Sequence, residues 1–471
     1  MKFKTLSLAS ISALVLSACQ MAPELEDIKL PVPDSYAVES GQGNIADLKW
    51  QQFFNNEKLQ ALIEQTLTHN KDIKLAALNV QQVRALYQIE DSALYPSIDF
   101  SASGTRQRLP ADLSSTGSAN ISESYSATVG MTAYELDLWG KVRNQSDQAL
   151  QTLYASEQAQ TSVKISLIAE IVHAWLNYAA DKELLALANE TLSSQQESLE
   201  LMEKTYALGA ASKLSLAQVQ STVATAKVDI ANYQRLLKRD KNALDLLVGK
   251  VVATKLLPEQ SLDEVFNFPA VPVGLPSELL EQRPDIKAAE YRLLAANANI
   301  GIAKAAFFPS ISLTANAGTA SADLNNLFSS GSGTWSFVPS INLPIFNMGR
   351  NQANLDVAQA QQEIALTTYE QTIQQAFKEV SDSLADRAGY MQQLAALEEL
   401  YNSNQVTFTL SQARFEKGAD SYLQVLDAQR NWVSAGQKLI TGKKAYIASQ
   451  ISLYKAVGGG WQRPEPEQYS Q

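Results

Sequence analysis

Residues 141–208 read KVRNQSDQALQTLYASEQAQTSVKISLIAEIVHAWLNYAADKELLALANETLSSQQESLELMEKTYAL, 68 positions without a glycine or a proline. Those two residue types are the usual helix breakers, so their absence over this span predicts one continuous helix. At about 1.5 Å per residue it would be about 100 Å long, several times an ordinary globular helix. Arg350 to Lys417 is again 68 residues, with only Gly389 inside it. Gly209 and Gly418 close the two runs. Behind them come returning segments of 39 residues each, 210–248 and 419–457.

The chain is duplicated. Asp72-Ile73-Lys74 returns as Asp285-Ile286-Lys287, and Tyr95-Pro96-Ser97-Ile98 as Phe308-Pro309-Ser310-Ile311, both at an offset of 213. Gly140-Lys141 and Gly349-Arg350, Gly209-Ala210 and Gly418-Ala419, and Gly249 and Gly458 share an offset of 209. The second copy is therefore four residues shorter between Pro309 and Gly349, and its glycine and proline punctuation otherwise keeps register. This sets a first repeat at 19–254, a linker at 255–284 rich in proline, a second repeat at 285–457 and a tail at 458–471. Each repeat is expected to hold a helix (about 72–93 and 285–306), a β-hairpin (97–136 and 310–346), the long helix (141–208 and 350–417) and a return helix (210–248 and 419–457). The first helix and the return arm together nearly equal the long helix, so two short helices end to end would run beside one continuous one.

Heptad spacing predicts coiled-coil packing near the turns. Leu216, Val219, Val223, Ala226, Ile230, Tyr233, Leu237, Leu244 and Leu247 keep three-four spacing, broken at Asp240. Leu185, Ala188, Leu192, Leu199, Met202 and Tyr206 keep it on the outgoing arm, interrupted by Gln195. Leu394, Leu397, Tyr401, Phe408 and Phe415 repeat the pattern in the second copy.

Past Pro96 the period changes to two. Ile98, Phe100 and Ala102 alternate with serines and Asp99, and Tyr125, Ala127, Val129, Met131 and Ala133 alternate with Ser, Thr and Gly. In the second copy Ile311, Leu313, Ala315 and Ala317 do the same, as do Trp335, Phe337, Ile341, Leu343 and Ile345, with Pro339 an irregularity. Small polar residues on one face and apolar ones on the other suit strands with water inside and lipid outside. Four strands cannot close a barrel, and open edges in lipid leave backbone groups unsatisfied, so the chain is expected to associate with two, three or four copies of itself.

The amino terminus reads as an address. Lys2 and Lys4 precede an apolar run from Leu6 to Leu16, a secretory signal at 1–18. It ends in Leu16-Ser17-Ala18-Cys19, which resembles a bacterial lipoprotein cleavage box and makes Cys19 the expected lipidation site. Gln20 in place of aspartate points, by that resemblance, to the outer membrane.

Composition narrows the rest. With 38 basic and 49 acidic residues the chain carries a net charge of −11, which argues against nucleic acid as a partner. One cysteine excludes a disulfide framework, and His69 and His173 stand too far apart for a metal site. Gly458-Gly459-Gly460 lacks the lysine of a phosphate loop, His173 beside Trp175 reads as packing, and Glu379 and Asp382 read as helix-surface acids. No catalytic residue and no cofactor beyond the covalent lipid is expected.

These residues resemble the TolC-like family of outer-membrane efflux lipoproteins over essentially all of the mature chain. The resemblance is carried by Gly274-Leu275-Pro276-Ser277-Glu278-Leu279-Leu280 through Arg283-Pro284-Asp285-Ile286, by Phe308-Pro309-Ser310-Ile311, by Leu343-Pro344-Ile345-Phe346 with Gly349-Arg350, and by Tyr454 to Trp461. It implies a mainly α fold with a small β part, in which a homotrimer builds a 12-stranded outer-membrane β-barrel on an α-barrel tunnel crossing the periplasm. It further implies that Leu208, Gly209 and Ser212, and Lys417, Gly418 and Ser421, are tips that meet a periplasmic adaptor protein. Leu423 and Asp427 match the positions that ring and close the periplasmic gate, with Gln424 where some relatives carry a second carboxylate. The implied function is a passive exit duct for small molecules delivered by a proton-driven inner-membrane pump. The alternatives are an exit duct for type I protein secretion and a non-conducting, lipid-anchored periplasmic scaffold.

Overall fold

The computed structural model describes residues 21–23, 32–33, 48–115, 117–259, 261–269 and 283–460. Cys19, the Gly274–Leu280 motif and Trp461 lie outside the described residues. Among the described residues no helix is long and apolar enough to cross a membrane.

The elements run in order as α1 (Trp50–Phe53), α2 (Glu57–His69), α3 (Lys71–Ser92), β1 (Asp99–Leu109), β2 (Asn120–Glu135), α4 (Lys141–Ala207), α5 (Lys213–Val248), α6 (Leu262–Val265), α7 (Pro284–Ala305), β3 (Ser310–Ser321), β4 (Gly333–Asn342), α8 (Arg350–Glu416) and α9 (Tyr422–Ala456). Helix starts follow from short polar side chains. Asn56 Oδ1 accepts from the N–H groups of Lys58 and Leu59, Asn70 Oδ1 from Asp72 and Ile73, and the Asp137 carboxylate from Val142 and Arg143. Pro284 opens α7, where its missing N–H costs nothing. The chain clusters into two compact units, one containing Val80–Ser156 and Ala288–Tyr369, the other most of the remaining chain.

The first unit carries the sheet, antiparallel and ordered β1-β2-β3-β4, so the two hairpins join through β2 and β3. Register pairs Phe100 with Val129, Val129 with Ala317, and Ala317 with Trp335. The apolar positions thus form one face across all four strands. On the other face the hydroxyls of Ser103 and Ser126 meet at 2.9 Å. Two details depart from the sequence reading. The ladder shifts register between Met131 and Tyr134, where Ala133 takes φ 52° and donates its N–H to Thr314 Oγ1; this bulge puts Tyr134, not Ala133, opposite Leu313. The last strand ends at Asn342, so Leu343 and Ile345 extend past the ladder, where Pro344 offers no N–H to continue it. Pro339 itself stays in register opposite Leu313, on a strand at the sheet's edge. Beyond the strands Trp139 stacks on Phe308 at 4.9 Å and donates its indole N–H to the Pro309 carbonyl, tying the proline corner of the second copy to the helix start of the first.

The second unit has an aromatic core. Phe53 stacks on Tyr454 at 4.4 Å and on Phe268 at 4.8 Å, with Phe54 edge-on, and Trp175 is fully buried against Phe266 with its N–H on the Leu256 carbonyl. Arg283, buried, donates to Asp285, to Glu379 at 2.8 Å and to the Ala456 carbonyl. Glu379 is therefore an ion-pair partner of a buried guanidinium rather than an ordinary surface acid. Asp382 does pair on the surface, with Lys378 one turn earlier.

Candidate functional site

The two helix turns are built alike. At the first, the Gly209 N–H donates to the Tyr206 carbonyl at 2.9 Å and the Ala210 N–H to that of Thr205 at 3.0 Å. At the second, Gly418 donates to Phe415 at 2.8 Å and Ala419 to Arg414 at 2.9 Å. The paired bonds satisfy the last free carbonyls of each long helix, and the glycines take φ 74° and 71°, a left-handed conformation that costs side chains energy. Both return helices begin three residues later than the sequence suggests, at Lys213 and Tyr422, because Ser212 and Ser421 are still extended. Ser212 Oγ caps its helix by accepting from Ser215, whereas Ser421 makes no such bond. Leu208 is 85% exposed at the first turn.

Behind the turns Met202, Val219 and Leu426 form a buried cluster, with Leu199, Ala211, Leu216 and Tyr422 against it. Farther along, Trp432 of α9 stacks on Phe408 at 5.3 Å and an interplanar angle of 6°. One face of α9, from Val425 through Leu426, Ala428, Gln429 and Trp432, is thus buried. Its other face presents Leu423, 49% exposed, and Asp427. The structure brings those two together on one side of the helix, as their spacing required, but Asp427 is not alone. Arg430 Nη2 donates to its Oδ1 at 2.8 Å, a partner the sequence reading overlooked although an i,i+3 charge pair was visible there.

The second turn is also held by charge. Arg414 donates twice to Asp420, at 2.6 and 3.0 Å, and this hydrogen bonding holds the Asp420 carboxyl below its usual range. Elsewhere on these helices the breaks in the heptads are real. Gln195 is buried within the stripe of α4, with its Oε1 unpaired among the described residues. Asp240 sits in the stripe of α5; burial, then the neighbouring Asp181 carboxyl that hydrogen-bonds it, raise its pKa to about 6, against the opposing charges of Lys444 and Arg239. Burial and the charges of Lys455 and Lys444 lower the pKa of His173, which favours the neutral ring. Among the described residues no group of His, Cys, Asp and Glu is arranged to hold a metal ion.

A four-stranded sheet with one apolar and one polar face, combined with paired 67-residue helices and glycine turns, defines the class of strand-and-long-helix outer-membrane ducts. The chain belongs to the outer membrane efflux protein family, whose model matches it twice, at residues 62–250 and 275–459. It is 44% identical over 465 residues, 97% of this chain and 96% of the relative, to the probable efflux pump outer membrane protein TtgC of Pseudomonas putida. To the cation efflux system protein CusC of Escherichia coli it is 40% identical over 461 residues, 96% of this chain and 98% of that one. Among solved structures, a membrane protein from Pseudomonas aeruginosa superposes with TM-score 0.90 at 39% identity, covering 93% of this chain and all of that one. The open state of the Neisseria gonorrhoeae MtrE outer membrane channel does so with TM-score 0.87 at 36% identity, covering 94% and 98%. This chain is an outer-membrane efflux channel, with strands that span the membrane and helices for the periplasm.

Proposed function

We propose that the protein works as a homotrimer, the passive exit duct of a tripartite pump, anchored by a lipid on Cys19 and closed at rest by Leu423 and Asp427. The carrying observation is the two-sidedness of the first turns of α9, buried on one side and presenting Leu423 and the Asp427–Arg430 pair on the other. Three such faces around an axis would make a narrow apolar ring with charges beside it, the kind of constriction that stops passive leakage. The edges β1 and β4 have no further partner among the described residues, and three copies would pair them into twelve strands.

The exposed turns, with Leu208, Gly209 and Ser212 at one and Lys417, Gly418 and Ser421 at the other, are the surfaces for a periplasmic adaptor. A proton-driven inner-membrane pump supplies the energy and selects the small molecules that leave. The absence of a candidate catalytic constellation in the sequence fits a duct better than an enzyme. Relatives are named for export of toluene, solvents, antibiotics and cations, and a wide duct need not distinguish among them.

Conductance in planar bilayers tests the gate. The purified wild-type channel should conduct weakly and Leu423→Ala/Asp427→Ala strongly; a variant as closed as wild type would refute the gate. Cys19→Ala should lose its fatty-acid mass, and an unchanged intact mass would refute the anchor.

A further inference from the structure

We propose that Arg106 and Arg108, on the lipid-facing side of β1, form a binding site for the phosphate of a lipid headgroup in the outer leaflet. Side chains of a strand alternate between faces, so Phe100, Ala102, Gly104, Arg106 and Arg108 share one face of β1. Their register partners on β2 are Val129, Ala127, Tyr125, Glu123 and Ile121. This face begins apolar, with Phe100 and Val129 exposed, and continues across β3 and β4 through Ala317 and Trp335. It is the face that meets lipid, because the opposite one is lined with hydroxyls. Only toward the far end of β1 does it become charged.

The position of that end follows from strand geometry. The chain enters β1 from α3, on the helical, periplasmic side, and leaves it at Leu109, on the far side. Arg106 is six residues and Arg108 eight residues beyond Phe100, about 20 and 26 Å along a strand. At a tilt of about 40° those lengths rise about 15 and 20 Å through an apolar band about 25 Å tall, so both arginines lie in its outer part, and their long stems carry the guanidinium groups toward headgroup level.

The local contacts leave cationic capacity unused. Glu123 is spent twice, accepting from Arg106 Nε at 2.9 Å and from the Tyr125 hydroxyl at 3.3 Å. That pair engages Arg106 through Nε, one of the five N–H donors of its guanidinium. Arg108 is exposed, opposite Ile121, with no carboxylate partner among the described residues. Two planar guanidinium groups two residues apart on one face match the several acceptor oxygens of a phosphate monoester. Nothing in the strand architecture demands them, since the repeat places Thr319 and Ser321 at the matching positions of β3. The duplication thus provides one such site per chain.

The test uses the full-length channel in nanodiscs of zwitterionic phospholipid doped with a phosphorylated glycolipid or its dephosphorylated counterpart, read by native mass spectrometry. Wild type should retain the phosphorylated probe about tenfold over the dephosphorylated one, the effect of a single charge-assisted contact of about 1.4 kcal/mol. Arg108→Gln, which leaves the Arg106–Glu123 pair intact, should lose part of that preference, and Arg106→Gln/Arg108→Gln all of it. Equal retention of the two probes by wild type, or an unchanged preference in a double variant that still inserts into the discs, would overturn the proposal. Displacement of the probe by millimolar inorganic phosphate would also overturn it, by showing a free-anion site with no role for the lipid.

Discussion

The two helix turns share a backbone and differ in what fastens them. Gly209 and Gly418 have nearly the same φ, and the paired carbonyl bonds behind them match residue for residue at the repeat offset of 209. The first turn is fastened by burial. Ala211 and Leu216 pack on Met202, Val219 and Leu426. The second shares that cluster through Tyr422 and Leu426, has an edge-on contact of Phe415 and Tyr422 at 5.1 Å, and adds the Arg414–Asp420 ion pair across the turn. At the first turn the positions matching Arg414 and Asp420 are Thr205 and Ala211, which cannot pair. Likewise Asp427 corresponds to Gln218, so the carboxylate of the proposed gate exists in one copy only. Duplication kept the geometry that reverses the chain and let its fastening diverge, which gives only the second turn an ion pair that bridges the turn itself and answers to salt.

The largest test removes the apolar fastening. Leu426→Ala deletes a side chain that is 2% exposed and should cost about 2–5 kcal/mol. Limited trypsin digestion should then cut faster at Lys204 and Lys213, at low and high salt alike. Unchanged cleavage would mean that the first turn is held by something other than this cluster. Next in size, Gly209→Ala and Gly418→Ala should each cost about 1–2 kcal/mol through the forced positive φ, since an added Cβ meets no atom within 4 Å at either site. The comparison predicts nearly equal losses in urea denaturation. A large loss at one turn and none at the other would break the claim of a shared backbone.

A smaller effect of opposite sign belongs to the arm behind the first turn. Asp240 is raised from its ordinary 3.8 to about 6, chiefly by burial and then by Asp181. Between those two values the folded chain binds more protons than the unfolded one. Stability therefore falls as pH rises through that window and stays lower above it. Asp240→Asn should flatten the dependence of melting temperature between pH 4 and 6 and raise stability at pH 7.5, with solvent at this partly exposed pair keeping the gain below the cost of the glycine changes. A slope in that window that survives the substitution would assign it to other groups.

Much of this molecule was legible in its sequence because long-range order here is written locally. A 68-residue span without a breaker permits little besides a helix, and the glycine and proline register exposed the duplication before any contact was known. Period-two alternation located both hairpins. It could not locate the bulge at Ala133, since a bulge is a relation between two strands and Thr314 lies far away in sequence. The shared exposed face of Leu423 and Asp427 was legible through their spacing, but its electrostatics were not, because Arg430 is outside that pair. Glu379 was misjudged for a similar reason. Its partner Arg283 is nearly a hundred residues away, and no helical spacing announces it.

The smallest expected effect, and the most direct test of the contrast between the turns, is Asp420→Asn. Asp420 gains its low pKa from the hydrogen bond with Arg414, so its contribution is present above the ordinary carboxylate value and is lost as pH falls through the lowered one. At neutral pH and low salt the substitution should speed tryptic cleavage at Arg414 and Lys417 and leave Lys204 and Lys213 unchanged. At about 1 M salt, where charges are screened within about 3 Å, the difference between variant and wild type should shrink markedly, because Arg414 is largely exposed. If cleavage is unaffected even at low salt, the second turn is held by the Phe415–Tyr422 contact, and both turns are fastened by burial. If the effect persists undiminished at high salt, the ion pair acts as a fixed strut of the loop, and the second turn is not the salt-responsive one.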